Sequence, residues 1–198
     1  MGTDRKWIIV RIDGKIAAIS TDYAKLAAIA ARLAQQQKPV VYDSICADSA
    51  TLEEIWNLRK ELLWDDLLLF GTDFQKKVWR KLWELTHDET KDDFAGDGIR
   101  LLSYTDFADL CENRAGVRAV AHAIALNPIS VIIPCHLVVP KEAIDRINEI
   151  QRKAEATIFK GEDLCISKVL SDTAIDFGEY ALGKDLKRKL ISLEDLGL

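Results

Sequence analysis

Paired cysteines are missing from this chain. Cys46, Cys111, Cys135 and Cys165 stand far apart, with no CxxC spacing among them. A zinc site or a disulfide framework needs paired, regular spacing, so neither is expected. Free thiols fit a reducing cytoplasm. The three histidines, His87, His122 and His136, are equally scattered, and no metal or other cofactor is expected. Long apolar runs are also absent. The Ala-rich stretch near residue 30 is broken by Arg32, and the opening MGTDRKW has no apolar signal region. Neither a membrane span nor a targeting peptide is expected. Basic charge is not in excess, with 27 Lys and Arg against 32 Asp and Glu and a net charge of −5. No global field draws the chain to nucleic acid, so any DNA-binding surface must be local. What is present is ordinary globular material: 198 residues, 48% hydrophobic and 30% charged. That suffices for one sizeable domain or two small ones.

The hydrophobic pattern predicts an α+β fold. "WIIVRIDGKIAAIS" holds two apolar runs around Asp13-Gly14, a pair that tolerates the positive φ of a tight hairpin turn. "TDYAKLAAIAARLAQQQ" repeats apolar residues at helical spacing, with Thr21 or Asp22 as a cap. "PVVYDSI" predicts a third strand, and "DSATLEEIWNLRKELLWDDLLLF" a helix with Ser49 and Glu53 near its start. These elements make a small α/β layer over residues 1–70. Residues 71–198 are mainly helical. In "TDFQKKVWRKLWEL", Thr72 or Asp73 can cap, and Phe74, Val78, Leu82 and Leu85 share a face beside Trp79 and Trp83. A polar, Gly-containing loop follows. Ser103 and Asp106 then suggest a capping box for a short helix to about Cys111. A turn over 112–116 and an Ala-rich helix to Leu126 complete the order expected of a helix-turn-helix. Residues 140 to about 170 are mostly helical in pattern, and "GEYALGKDLKRKLISLEDLGL" closes on an amphipathic helix.

The chemistry centres on "NPISVIIPCHLVV", residues 127–139, where an apolar run stops on Pro134-Cys135-His136. Free cysteine is often a small buried hydrophobe, and strand neighbours point to opposite faces. Cys135 therefore stands between two readings, a core residue or a nucleophile with His136 reaching it through a water or a chain bend.

The surrounding motifs favour the nucleophile. "FQKKVWRKLWEL", "LSYTDFADLCENRAGVRAVAHAIALNPISVIIPCHLVV" and "GEYALGKDLKRKLISLE" together resemble the O6-alkylguanine-DNA alkyltransferases, the methylated-DNA–protein-cysteine methyltransferases. The resemblance covers about the last two thirds of the chain and implies DNA repair by irreversible, single-turnover transfer of an alkyl group from O6 of guanine to Cys135. It implies His136 as the base, Glu194 as the group that orients it, and no cofactor. It further implies that Tyr104 donates to a base flipped from the duplex, and that Asn127 joins the recognition helix to the active-site strand and supports the turn. Tyr180 and Ala181 would line the base pocket. Alkylated DNA is the implied partner of a cytoplasmic monomer with a winged-helix-like alkyltransferase domain.

Several positions depart from the family pattern. Leu137 follows the histidine where arginine is usual. The family's recognition helix usually has arginine two residues before the asparagine; this chain has Ala125, leaving Arg118 as that helix's basic residue. Ala181 aligns where a serine is frequent, and about thirty residues, 141–173, are inserted after the cysteine motif. These departures weaken the expected phosphate contacts and base extrusion. They keep open two other readings: a non-catalytic DNA-binding or regulatory module, and a cysteine enzyme with another substrate.

Overall fold

The computed structural model describes residues 6–24, 26, 27, 31, 42–87, 101–155 and 172–195. The fold is mixed α and β, and its backbone divides into two compact units whose chain segments interleave. One takes the described residues up to His87 together with His122–Cys135; the other takes those of Asp88–Ala121 together with His136–Leu198.

The first unit grows from the hairpin. Strands β1 (Trp7–Ile12) and β2 (Lys15–Ser20) pair antiparallel around Asp13 at φ 48 and Gly14 at φ 78, with a bulge between Val10 and Arg11. A third strand, β3 (Ile45–Ala50), pairs antiparallel with β1, giving the order β2-β1-β3. The strand therefore begins where the sequence pattern expected it to end: Tyr42–Ser44 are not in a strand, and 39–41 lie outside the described residues. The register follows from the turn, because Asp13 accepts the Ser44 N–H through its carboxylate (2.9 Å) and donates its own N–H to the Ser44 carbonyl (3.0 Å). The expected helix over 21–37 is helical at the described residues 23, 24, 26, 27 and 31, and Asp22 caps it by accepting the Ala24 N–H at 2.8 Å.

Helix α1 (Leu52–Glu61) is capped by Thr51, not Ser49, in a reciprocal box with Glu54. The Thr51 N–H holds the Glu54 carboxyl below its ordinary range. The helix stops at Glu61 rather than running on to residue 70. Leu62 and Leu63 are extended, Asp66 accepts the Leu63 N–H (2.8 Å), and Trp64 sits edge-on to Trp83 at 5.8 Å. A side-chain acceptor and a ring contact thus override good helix formers. Helix α2 (Asp73–His87) opens on a Thr72–Gln75 box and buries Val78, Trp79, Leu82 and Trp83. The expected stripe is rotated, for Phe74 is exposed. Ile12, Ala17, Ala18 and Phe70 form a core cluster with Val10, Leu26, Tyr42 and Leu68.

The second unit pairs two short parallel strands, β4 (Leu102–Ser103) and β5 (Val138–Val139). Ser103 caps helix α3 (Tyr104–Leu110), accepting the Asp106 N–H at 3.1 Å. The chain turns at Glu112, φ 56, and a 3-10 turn at Arg114–Gly116 leads into α4 (Val117–Ala125), a helix whose residues the two units divide. This is the helix-turn-helix order the sequence implied. Helix α5 (Lys141–Glu155) occupies the described start of the insertion; the rest of it, including Cys165, lies outside the described residues save Asp172. Val139, Ala143, Ile175, Phe177 and Ile191 form a core cluster, with Ile144, Ile147 and Ile150 of α5 packed on it, and helix α6 (Lys184–Asp195) supplies the Ile191. The insertion thus begins as an amphipathic helix that joins a core.

Gly14 offers a clean measure of the hairpin turn, because a Cβ there would meet no atom within 4 Å. Gly14→Ala should therefore cost only the left-handed backbone term, about 1 kcal/mol, read as a shift of the urea midpoint.

Candidate active site and DNA-binding helix

Asn127 ends α4, donating its N–H to the Ile124 carbonyl at 3.1 Å, and its side chain is only 1% exposed. The Ile129 N–H donates to Oδ1 at 3.0 Å, which identifies that atom as the oxygen. Nδ2 is then the end that donates to the Ile133 carbonyl (2.9 Å) and to Cys135 Sγ (3.1 Å). Between these partners the chain does not run as the expected strand. Ser130 bridges to Ile133, the Ile133 N–H returns to the Ile129 carbonyl (3.0 Å), and Val131 stands at φ 74. A buried, β-branched residue in the left-handed region costs about 1–2 kcal/mol, and the Asn127 amide brackets it on both sides. Pro134 then leads into a 3-10 turn, Cys135–Leu137, whose first N–H reaches the Ile133 carbonyl at 2.8 Å.

The turn is laid along β2. The Ile19 N–H donates to the Pro128 carbonyl (3.0 Å), the Ser130 N–H donates to the Ile19 carbonyl (3.1 Å), and Ile19 and Ile129 form a parallel bridge. Trp79 donates its indole N–H to the Ala123 carbonyl at 2.8 Å, tying α2 to the end of α4. Cys135, 7% exposed as a residue, thus sits at the end of a braced turn with an amide donor aimed at its sulfur.

The second unit resumes at the next residue. His136 is fully buried, and its Nε2 lies 2.8 Å from Glu194 Oε1 on α6, a carboxylate whose side chain is 15% exposed. A carboxylate accepts, so Nε2 carries the proton and Nδ1 is the basic nitrogen of the neutral ring. Tyr104, half-buried at the first position of α3, lies near a group that sequence reasoning did not single out. Lys187 is 1% exposed, donates to the Val138 carbonyl at 2.8 Å, and places Nζ 5.9 Å from the Tyr104 ring centroid. In sequence it looked like one cation of a solvated run, GKDLKRK. The signal was available in its spacing, since Lys187 and Glu194 stand two helical turns apart on one face of α6.

The other expected residues are positioned as follows. Tyr180 is half-buried and Ala181 exposed, in a loop closed by the Gly183 N–H donating to the Tyr180 carbonyl at 2.9 Å. Arg118, His122 and Ala125 are exposed on α4, at the spacing of a single helical stripe. Leu137, noted in the sequence as a departure from the usual arginine, is buried. Among the described residues no group of three or more His, Cys, Asp or Glu could hold a metal ion. No described helix is long and apolar enough to cross a membrane.

Comparison with known proteins bears on this geometry. The family described as "6-O-methylguanine DNA methyltransferase, DNA binding domain" matches residues 98–156, from before β4 through the end of α5. Over this stretch the chain is similar to that family. A probable methylated-DNA–protein-cysteine methyltransferase of Acanthamoeba polyphaga mimivirus is 43% identical over 76 residues, 38% of this chain and 44% of the relative. The inducible methylated-DNA–protein-cysteine methyltransferase of Bacillus subtilis is 39% identical over 71 residues, 36% of this chain and 34% of the relative. The matched stretch thus spans less than half the length of these relatives. The fold is shared over a longer range. The crystal structure of the O6-methylguanine-DNA methyltransferase of Pyrococcus kodakaraensis KOD1 has a TM-score of 0.51 at 21% identity, covering 98% of this chain and 94% of its own.

The Asn127 bridge generates a prediction of its own. Asn127→Ala leaves the buried Ile129 N–H without the partner it has in Oδ1, at a cost of about 1–3 kcal/mol, and leaves the Ile133 carbonyl with the Cys135 N–H. The urea midpoint should fall accordingly, and iodoacetamide should label Cys135 several-fold more slowly.

Proposed function

We propose that this chain repairs DNA by transferring an alkyl group from O6 of guanine to its own Cys135, one lesion per molecule. The observation that carries this reading is the run from Asn127 to His136, in which an amide donor faces the Cys135 sulfur and the next residue is a histidine held by Glu194. Those are the components of an activated nucleophile: sulfur, base and the group that orients the base. The name of the family matched over residues 98–156 and the names of the relatives point to the same chemistry.

In this mechanism His136 Nδ1 takes the thiol proton through a water, while Glu194 steadies the imidazolium that forms. The thiolate attacks the alkyl carbon, a C–S bond forms, and the C–O6 bond breaks with its electron pair going to the guanine. Tyr104 gives a proton to the departing ring, and the buried Lys187 ammonium near the Tyr104 ring favours the charge left there. The tyrosine then recovers a proton through solvent. A thioether has no easy leaving group, so the protein is consumed. The guanine must leave the duplex to reach the sulfur. Arg118, exposed on α4, is the cation best placed on that helix for the DNA, with Ala125 offering close approach. In this reading residues 71–198 carry the chemistry and 1–70 act as scaffold, supported by the bonds from Ile19 to the cysteine turn. The protein works as a monomer in a reducing cytoplasm, where a reactive thiol persists.

Intact mass after incubation with a duplex containing O6-methylguanine should rise by one methyl group, mapped to the Cys135 peptide and absent from Cys135→Ser. No gain on the duplex or on free O6-benzylguanine, with DNA binding retained, would sink alkyl transfer and leave a binding module. Arg118→Ala should weaken duplex binding about uniformly across sequences and reduce the slope of log K against log salt by about 0.9, the contribution of one phosphate contact.

A further inference from the structure

The loop of 172–183, from the end of the insertion to α6, carries Tyr180 and Ala181, and one cation makes three of its anchoring contacts. Arg188, on α6, donates through Nη1 to the Asp172 carbonyl at 3.1 Å and through Nη2 to the Ile175 carbonyl. Its guanidinium also lies 4.8 Å from the centre of the Phe177 ring. The planar fork thus grips the first part of the loop at two carbonyls and one ring face, a geometry that an ammonium cannot reproduce. Three further contacts lock the same segment. Arg146 of α5 approaches the Asp172 carboxylate at 3.5 Å. The Gly178 N–H donates to Asp176 Oδ1 at 2.9 Å, and Lys184 pairs with the same carboxylate at 3.1 Å. That N–H, with Lys184 beside it, holds the Asp176 carboxyl below its ordinary range. Gly178 itself, at φ +79, approaches Pro140 so closely that a Cβ would stand 2.8 Å from the proline ring.

We propose that Arg188 is a positioning residue for base recognition, holding the loop of Tyr180 and Ala181 in its bound shape before the alkylated guanine arrives. The inference rests on the alkyl-transfer reading. The physical need comes from the chain itself: the loop follows a long insertion, and Ala181 brings no hydroxyl to the pocket. Affinity must then come from order already present, because a loop that is ordered only on binding spends part of its interaction energy on that ordering. Arg188 touches neither sulfur nor base in this scheme, so its loss should affect capture of the base and spare the chemical step.

The test is single-turnover alkylation of Cys135 by free O6-benzylguanine, followed by mass across a concentration series, which separates half-saturation from limiting rate. Arg188→Met should raise the half-saturating concentration about tenfold while keeping the limiting rate within about twofold, and Arg188→Lys should recover only part of the loss. Hydrogen exchange should accelerate over 174–183 in Arg188→Met and remain unchanged in the β1–β2 hairpin. Phe177→Leu, which removes only the ring face, should shift half-saturation in the same direction and serves if Arg188→Met does not fold. Unchanged half-saturation, or an equal fall in limiting rate, overturns the positioning role while alkylation by the unsubstituted protein still upholds the reaction. No adduct on the unsubstituted protein overturns the reaction, and this role with it.

Discussion

A single buried carboxamide sets the geometry on which the site depends. Asn127 ends the exposed helix, and its side chain holds the Ile129 N–H, the Ile133 carbonyl and the Cys135 sulfur at 3.0, 2.9 and 3.1 Å. Donor and acceptor ends are both used, so the amide cannot turn over without breaking all three contacts. The strained backbone at Val131 persists because its neighbours on either side are bound to that one group. The end of the helix and the position of the sulfur are therefore one structural fact.

Buried charge is the second constraint. His136 and Lys187 are almost completely removed from solvent, and each has a polar partner, Glu194 for one and the Val138 carbonyl for the other. Unpartnered, either would be expensive to bury as an ion. Both pairs depend on helix α6, which carries Lys187 and Glu194 on one face and Arg188 beside them. The amphipathic terminal helix is thus more than a cover for the core formed by Val139, Phe177 and Ile191. It presents ionisable groups inward that a solvated helix would present outward, and it anchors the preceding loop through carbonyls.

Local signals were legible wherever local chemistry decides the outcome. Asp13-Gly14 forms the turn because both residues accept positive φ, Ser103 caps because its hydroxyl meets the Asp106 N–H, and the helix-turn-helix order follows from a short helix, a turn and an Ala-rich helix. Errors occurred where distant groups compete with propensity. The third strand is displaced to Ile45–Ala50, because the turn of the hairpin, bonded to Ser44, sets where pairing with β1 begins. The helix from Leu52 stops early because Asp66 and the Trp83 ring claim the residues that would have continued it. The apolar run before Cys135 looked like a strand, and its composition gives no hint of a bridged turn held by an amide.

The sequence by itself determined which candidate groups the chain carries: one thiol after a proline, a histidine next to it, a glutamate near the end, and a helix with a lone arginine. It determined these because motif spacing is covalent and survives without knowledge of the fold. Tertiary structure decided which groups meet. It brought Glu194 to His136 across 58 residues and Lys187 to the Val138 carbonyl across 49, and turned Arg188 back onto the loop before it. Side-chain hydrogen bonds reach only a few ångströms, and contacts between residues so far apart in sequence exist only once the chain has folded around them.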